Sequence, residues 1–169
     1  LCLTALAAVV LLADGLHVGV VGGLARAFSS LGPMAALSVV ATSAFAQGKT
    51  LAQALMAPTR IYIKSVLPQI KAGRIKGCAH ITGGGLIENP PRAIADGLEA
   101  EFDWNAWPLP PVFAWLQEQG GVADHELRRT FNCGVGLILI VAPEDAPDVL
   151  EGLLAAGEDA FVCGQLKAS

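Results

Sequence analysis

The stretch Arg129-Thr130-Phe131-Asn132-Cys133-Gly134-Val135-Gly136-Leu137-Ile138-Leu139-Ile140-Val141 decides how this chain folds. Its second half is apolar, rich in β-branched residues and uncharged, as a strand buried on both faces must be. We therefore expect a strand over 133–141 in the interior of a sheet. Its first half is polar and broken by glycine. Thr130 and Asn132 stand at the mouth of the strand, while Gly134 and Gly136 share one face. Glycines so placed leave room either for a packed helix or for a ligand, and both readings stand. Cys133 has no His beside it, which favours an inert buried thiol over a nucleophile.

Working outward, Pro143-Glu144-Asp145 opens a helix with acids at its positive end, running to about Gly157. A last strand spans 160–166. Upstream, Asp124 is expected to cap a helix over 124–129 with its side chain. Val112, Phe113 and Leu116 give the 110–119 segment one apolar helical face. Trp104 and Trp107 read as a packing cover. Residues 98–102 form a strand, and 86–95 a helix disturbed by Asn89-Pro90-Pro91. Residues 75–82 form a strand. Pro58 suits the first position of a helix reaching Lys71, loosened by Pro68 and stopped by Gly73. Residues 50–56 read as a helical turn. This alternation predicts a layered α/β (α+β) sandwich, a mixed sheet with helices packed on it.

The strand over 75–82 runs straight into Gly83-Gly84-Gly85, the second site candidate. Backbone amides exposed between a strand and a helix can cradle a phosphate or carboxylate. Thr82, Gly83, Gly84 and Gly85 are the candidate anion contacts here, and Thr130, Asn132 and Gly134 at the other strand mouth. His80 can move a proton near neutral pH, or it is simply a hydrogen-bonded structural residue. Arg92 either grips a phosphate or pairs with Glu88 on one helix face.

Apolar residues make up 53% of the chain and charged ones 15%, against about 45–50% and about 25% in soluble domains. The net charge of −4 and the absence of a basic stripe exclude a nucleic-acid partner. The four cysteines form no CxxC pair, and no His lies at zinc-ligand spacing, so no metal site is expected. Thiols in apolar surroundings fit a reducing, cytoplasmic compartment.

The first 48 residues differ from the rest, with Asp14 and Arg26 as their only formal charges. Asp14 and His17 break the apolar run 1–13 before it reaches the roughly 18–20 residues of a membrane span, so no membrane partner is expected. Residues 31–46 end in Ala44-Phe45-Ala46 and mimic a signal peptide, but lie too far from the N-terminus for that role. The Gly19-Val20-Val21-Gly22-Gly23 run lacks dinucleotide-loop spacing. A chain beginning at Leu1 reads as a fragment or processed product.

Several strings then occur in order: Thr50-Leu51, Pro58-Thr59-Arg60-Ile61-Tyr62, His80-Ile81-Thr82-Gly83-Gly84-Gly85-Leu86 with Glu88-Asn89-Pro90, Pro110 with Val112-Phe113-Ala114-Trp115-Leu116, and Arg129-Thr130-Phe131-Asn132-Cys133-Gly134-Val135-Gly136. Together they resemble the C-terminal domain of phosphoribosylformylglycinamidine cyclo-ligase (aminoimidazole ribonucleotide synthetase) over about residues 49–169. The resemblance implies an ATP- and Mg²⁺-dependent ligase of purine biosynthesis, a homodimer of two-domain chains. Its substrate is formylglycinamidine ribonucleotide, closed to aminoimidazole ribonucleotide. It also implies that Gly83–Gly85 and the Thr130–Gly134 turn line the substrate cleft, with His80 near it. The family's Ser-Gly-x-His-Ser-Asn-Gly segment is reduced here to Asp14-Gly15-Leu16-His17-Val18-Gly19, and its ATP-binding domain and usual last strand are not represented. We therefore expect 1–48 to be an atypical segment, and the ATP-binding domain to be supplied in cis or in trans. The fragment alone is expected to be inactive and to bind no cofactor. The alternative is a non-catalytic binding or assembly module that keeps the fold.

Overall fold

The computed structural model describes residues 8–13 and 58–169. Five strands, β1 (Ala8–Ala13), β2 (Ile75–His80), β3 (Leu98–Phe102), β4 (Val135–Val141) and β5 (Asp159–Ala168), form one sheet in the order β2-β4-β1-β5-β3. All four described pairings are antiparallel, where the alternation of elements had suggested a mixed sheet. The layered α/β sandwich itself is as expected.

Every residue of β4 is buried, because helices cover both faces of the sheet. Leu137, Leu139 and Val141 point to one face. There they meet Val66 of α1 (Ile63–Lys71) and Val149 and Leu153 of α5 (Ala146–Ala155). Ile138 and Ile140 point to the other. There they pack with Leu86 of α2 (Gly85–Glu88), Phe113 and Leu116 of α3 (Pro111–Gly120), and Leu127 of α4 (Asp124–Thr130). Burying one such Leu or Phe side chain contributes about 1.5–3 kcal/mol.

β1 is the element that the residue pattern left without a place. It lies between β4 and β5, with Ala8 opposite Val141 and Gln165, and Ala13 opposite Val135 and Asp159. Residues 50–56, the reduced Gly-x-His segment and the signal-like stretch lie outside the described residues.

Several boundaries move for identifiable reasons. α1 begins at Ile63 and not at Pro58, because residues 58–62 act as a strap. Arg60 Nε pairs with Glu158 Oε2 at 2.8 Å, and an Arg60 guanidinium N–H donates to Gly157 O at 3.0 Å. The expected 86–95 helix is split into α2 and a 3-10 turn, Pro90–Ala93, since two consecutive prolines carry no amide to continue an α ladder. Asp124 is not a cap: Ala123 holds that position, and the Asp124 carboxylate instead pairs with Arg128 Nε at 2.7 Å. β4 begins two residues late, because Asn132–Val135 is a tight turn closed by Val135 N–H donating to Asn132 O at 2.9 Å. No helix among the described residues is long and apolar enough to cross a membrane.

Candidate functional site

Two glycine-bearing turns sit at the same end of the sheet. The first leaves β2, and the Ile81 amide donates to Gly136 O at 2.9 Å, tying its beginning to the start of β4. Gly85 N–H donates to Thr82 O at 2.9 Å and Gly84 takes φ +106°, so Thr82–Gly85 closes as a β-turn with its third residue left-handed. A side chain on Gly85 would collide with the backbone carbonyls of Arg128 and Phe131, so only glycine lets this turn press against the end of α4. The first turn thus packs on the end of α4, immediately before the second turn begins.

Asn89 braces the first turn from within. It is buried, its Oδ1 accepts the Thr82 amide at 2.6 Å, and its Nδ2 donates to Gly83 O at 3.1 Å. Glu88 Oε1 receives Arg129 Nε at 2.8 Å, which joins α2 to α4. This replaces the Glu88–Arg92 pair considered from the sequence, since the helix breaks between the two residues. Thr82 and Gly83 are exposed and Gly84 is half-buried. Among the described residues the Gly83 and Gly84 amides meet no acceptor, so they are the donors this turn presents.

The second turn is built differently. Asn132 Oδ1 accepts the Gly134 amide at 3.1 Å, and Cys133 and Gly134 both take positive φ, +51° and +94°. Cys133 is the only non-glycine residue with positive φ among the described residues, and it is held there by its surroundings. Its carbonyl accepts Trp107 Nε1 at 3.0 Å, and burial pushes its thiol up to about 12, which rules out a thiolate nucleophile at neutral pH. A Cβ on Gly134 would lie 2.6 Å from Pro110 Cγ. Asn132 and Gly134 are buried and Thr130 is half-buried.

The structure therefore brings Thr82, Gly83, Gly84, Gly85, Thr130, Asn132 and Gly134 to one end of the sheet. It does not merge the amides of both turns into one cradle, because those of Gly134 and Val135 bond within their own turn. His80 is set apart. Ala79 and Ile81 point into the core beneath α2–α4, so the alternation of the strand turns His80 to the opposite face, beside α1. Gly134 also lines a groove of about 790 Å³ with Trp107, Pro110, Phe161, Asp159 and Arg60.

Sequence reading missed two contributors. Asn89 looked like a turn residue before Pro90, and its only signal was a short amide side chain following three glycines. The Trp107–Pro111 loop gave no sign that it would wall a groove. Arg128 stacks on Trp104 at 3.8 Å from the ring centroid, so that Trp is a packing cover as expected. No group of three His, Cys, Asp or Glu side chains among the described residues is placed to hold a metal ion.

The family model described as "AIR synthase related protein, C-terminal domain" matches residues 9–169. Proteins named phosphoribosylformylglycinamidine cyclo-ligase from Burkholderia cenocepacia (strain HI2424) and Burkholderia pseudomallei (strain 668) are each 56% identical over 127 residues. Each alignment covers 75% of this chain and 36% of the relative. The chain thus spans about a third of the length of these relatives. Among solved structures, that of tt0281 from Thermus thermophilus superposes with a TM-score of 0.58 at 20% identity. It covers 96% of this chain and 47% of that one, a likeness of fold.

Proposed function

Since the chain belongs to the AIR synthase related family, C-terminal domain, we propose that it forms the substrate-side part of an ATP-dependent cyclo-ligase acting in the cytoplasm. The proposed reaction closes formylglycinamidine ribonucleotide to aminoimidazole ribonucleotide, with ATP hydrolysed to ADP and phosphate. Attacking nitrogen and activated carbon belong to one substrate molecule, so holding it in a folded shape accounts for much of the barrier lowering. In this proposal the Gly83 and Gly84 amides, which meet no acceptor among the described residues, and Thr82 take an anionic oxygen of the substrate. Gly85, Thr130, Asn132 and Gly134 hold the wall behind them.

The described residues offer no carboxylate cluster suited to Mg²⁺, and Glu88 is already paired with Arg129. By the family resemblance, ATP and Mg²⁺ are assigned in this proposal to an ATP-binding part supplied in cis or in trans, and the assembled enzyme to a homodimer. The observation that carries the proposal is the family match over residues 9–169. The experiment is a reconstitution, in which these 169 residues are mixed with the ATP-binding part of the Burkholderia cenocepacia relative. ATP-dependent aminoimidazole ribonucleotide formation is expected from the mixture and not from the 169 residues alone. Gly84→Val should abolish it, since Gly84 has positive φ and its Cβ would meet Asn89 Nδ2 at 2.8 Å. Full turnover by the isolated chain, or an unchanged rate in Gly84→Val, would refute the proposal.

A further inference from the structure

The described sheet is open, and β3 is one of its two outer strands, paired only with β5. The Ser169 amide donates to Gly97 O at 3.0 Å and the Asp103 amide to Cys163 O at 2.7 Å, one at each end of that pairing. Bonded and non-bonded pairs alternate along an antiparallel ladder, so Glu99 and Glu101 direct their backbone groups to Lys167 and Gln165. The backbone groups of Leu98, Ala100 and Phe102 therefore point away from β5. Leu98 N–H donates to Ala95 O at 3.2 Å, whereas the Ala100 and Phe102 amides meet no acceptor among the described residues. A row of unanswered backbone groups on a sheet edge is a template for a further strand.

Beside this edge runs a groove of about 460 Å³, lined by β3 and, across from it, by Ile87, Pro91 and Ile94. Leu98, Ala100 and Phe102 pack toward the core beneath α2–α4, and the alternation of the strand turns Glu99 and Glu101 to the other face. Charge marks the same strand. Asp96, Glu99, Glu101 and Asp103 are all exposed, and no Lys or Arg occurs between Arg92 and Arg128. Lys167 serves both glutamates, 3.4 Å from Glu99 Oε1 and 3.3 Å from Glu101 Oε1. A second copy fits this edge poorly. Antiparallel self-pairing about Ala100 sets the Glu99 of each strand opposite the Glu101 of the other, in the closely spaced pairs where like charges repel.

We propose that this edge receives an extended segment of a partner protein in which lysine or arginine alternates with apolar residues. The segment lies beside β3 as a further strand, its carbonyls accepting the Ala100 and Phe102 amides. Residues opposite one another on neighbouring strands share a face. The apolar side chains of the segment therefore enter the groove beside Leu98 and Phe102, and its basic ones meet Glu99 and Glu101. The proposal rests on the sheet edge alone and is independent of the cyclo-ligase reading.

The probe is a fluorescein-labelled Lys-Val-Lys-Val-Lys-Val-Lys peptide, titrated with the full 169-residue chain at low salt. Saturable binding is expected, at least ten-fold tighter than for Glu-Val-Glu-Val-Glu-Val-Glu. Hydrogen exchange at the Ala100 and Phe102 amides should slow at least ten-fold on binding, while exchange at Glu99 and Glu101, already bonded to β5, stays as it was. Ala100→Pro removes an outward N–H and no bond to β5, so it should weaken binding at least ten-fold with an unchanged circular dichroism spectrum. Should that variant not fold, the pair Glu99→Lys and Glu101→Lys takes its place and should turn the preference to the acidic peptide. Absence of binding, or equal binding by a folded Ala100→Pro chain, would overturn the proposal. Binding without slower exchange at Ala100 would reduce it to charge attraction, with the same result. Slow exchange at these amides before any peptide is added would mean that the edge is already taken, by a second copy where light scattering shows a dimer, and would overturn it too.

Discussion

The two glycine turns look alike in sequence, since each follows or precedes an apolar strand with small residues and a polar neighbour. In the structure they differ in what their amides do. The Thr82–Gly85 turn is braced from inside by Asn89 and leaves the Gly83 and Gly84 N–H groups without an acceptor among the described residues. The Asn132–Val135 turn bonds its Gly134 and Val135 amides internally and lies under Pro110 and Trp107. Glycine thus serves two needs that a motif does not distinguish. In one turn it allows close approach of backbone to backbone, and in the other it allows a left-handed bend beneath a ring.

The comparison breaks most visibly at Gly85. Gly85→Ala should cost about 3 kcal/mol or more, because φ is +54° and the new methyl meets two carbonyls that cannot move independently of α4. Urea unfolding measures this, and a loss below about 1 kcal/mol would mean the first turn is not docked on the end of α4 as described. Gly134→Ala should cost about 1–3 kcal/mol, since φ is +94° but the obstacle is the Pro110 ring, which can yield. Asn89→Ala should cost about 1–2 kcal/mol by leaving the Thr82 N–H and Gly83 C=O without partners, and hydrogen exchange at the Thr82 amide should speed accordingly.

Alkaline pH sharpens the contrast from the buried turn. The folded Cys133 thiol is raised to about 12 by burial, above its value in the unfolded chain of about 8.5. The folded state therefore holds that proton more tightly. Its contribution is fully present below about pH 8.5 and is lost as pH rises from there toward 12, at roughly 1 kcal/mol per pH unit. Comparing urea midpoints at pH 8 and pH 10 should show a smaller decline in Cys133→Ala than in the parent. The smallest expected effect is at Gly83, where an added Cβ meets nothing within 4 Å. Gly83→Ala should shift stability by less than about 0.5 kcal/mol.

Much of this architecture is legible from residue patterns. Leu98–Phe102 is found as read, and β4 is buried on both faces as its uncharged run requires. The two site turns are visible as motifs because glycine clusters beside a strand are hard to place elsewhere. What escapes is whatever depends on partners distant in sequence. β1 has the composition of a central strand, but no turn signal or alternation marked it, and its neighbours come more than 120 positions later. The helix expected from Pro58 fails because Arg60 answers to Glu158, nearly a hundred residues away. The direction of His80 was within reach, since Ala79 and Ile81 on either side of it are apolar and point inward. Its orientation separates it from both turns.

The place of β1 has a consequence for how the domain assembles. The earliest of the described strands, β1, must slot between β4 and β5, which come more than 120 residues later, so these pairings cannot form until that intervening chain has been made. Pairings this distant along a chain form late and slowly. During translation the Ala-Val-Val-Leu-Leu-Ala stretch is an unpaired apolar strand, the kind of segment that chaperones hold and that aggregates when they do not.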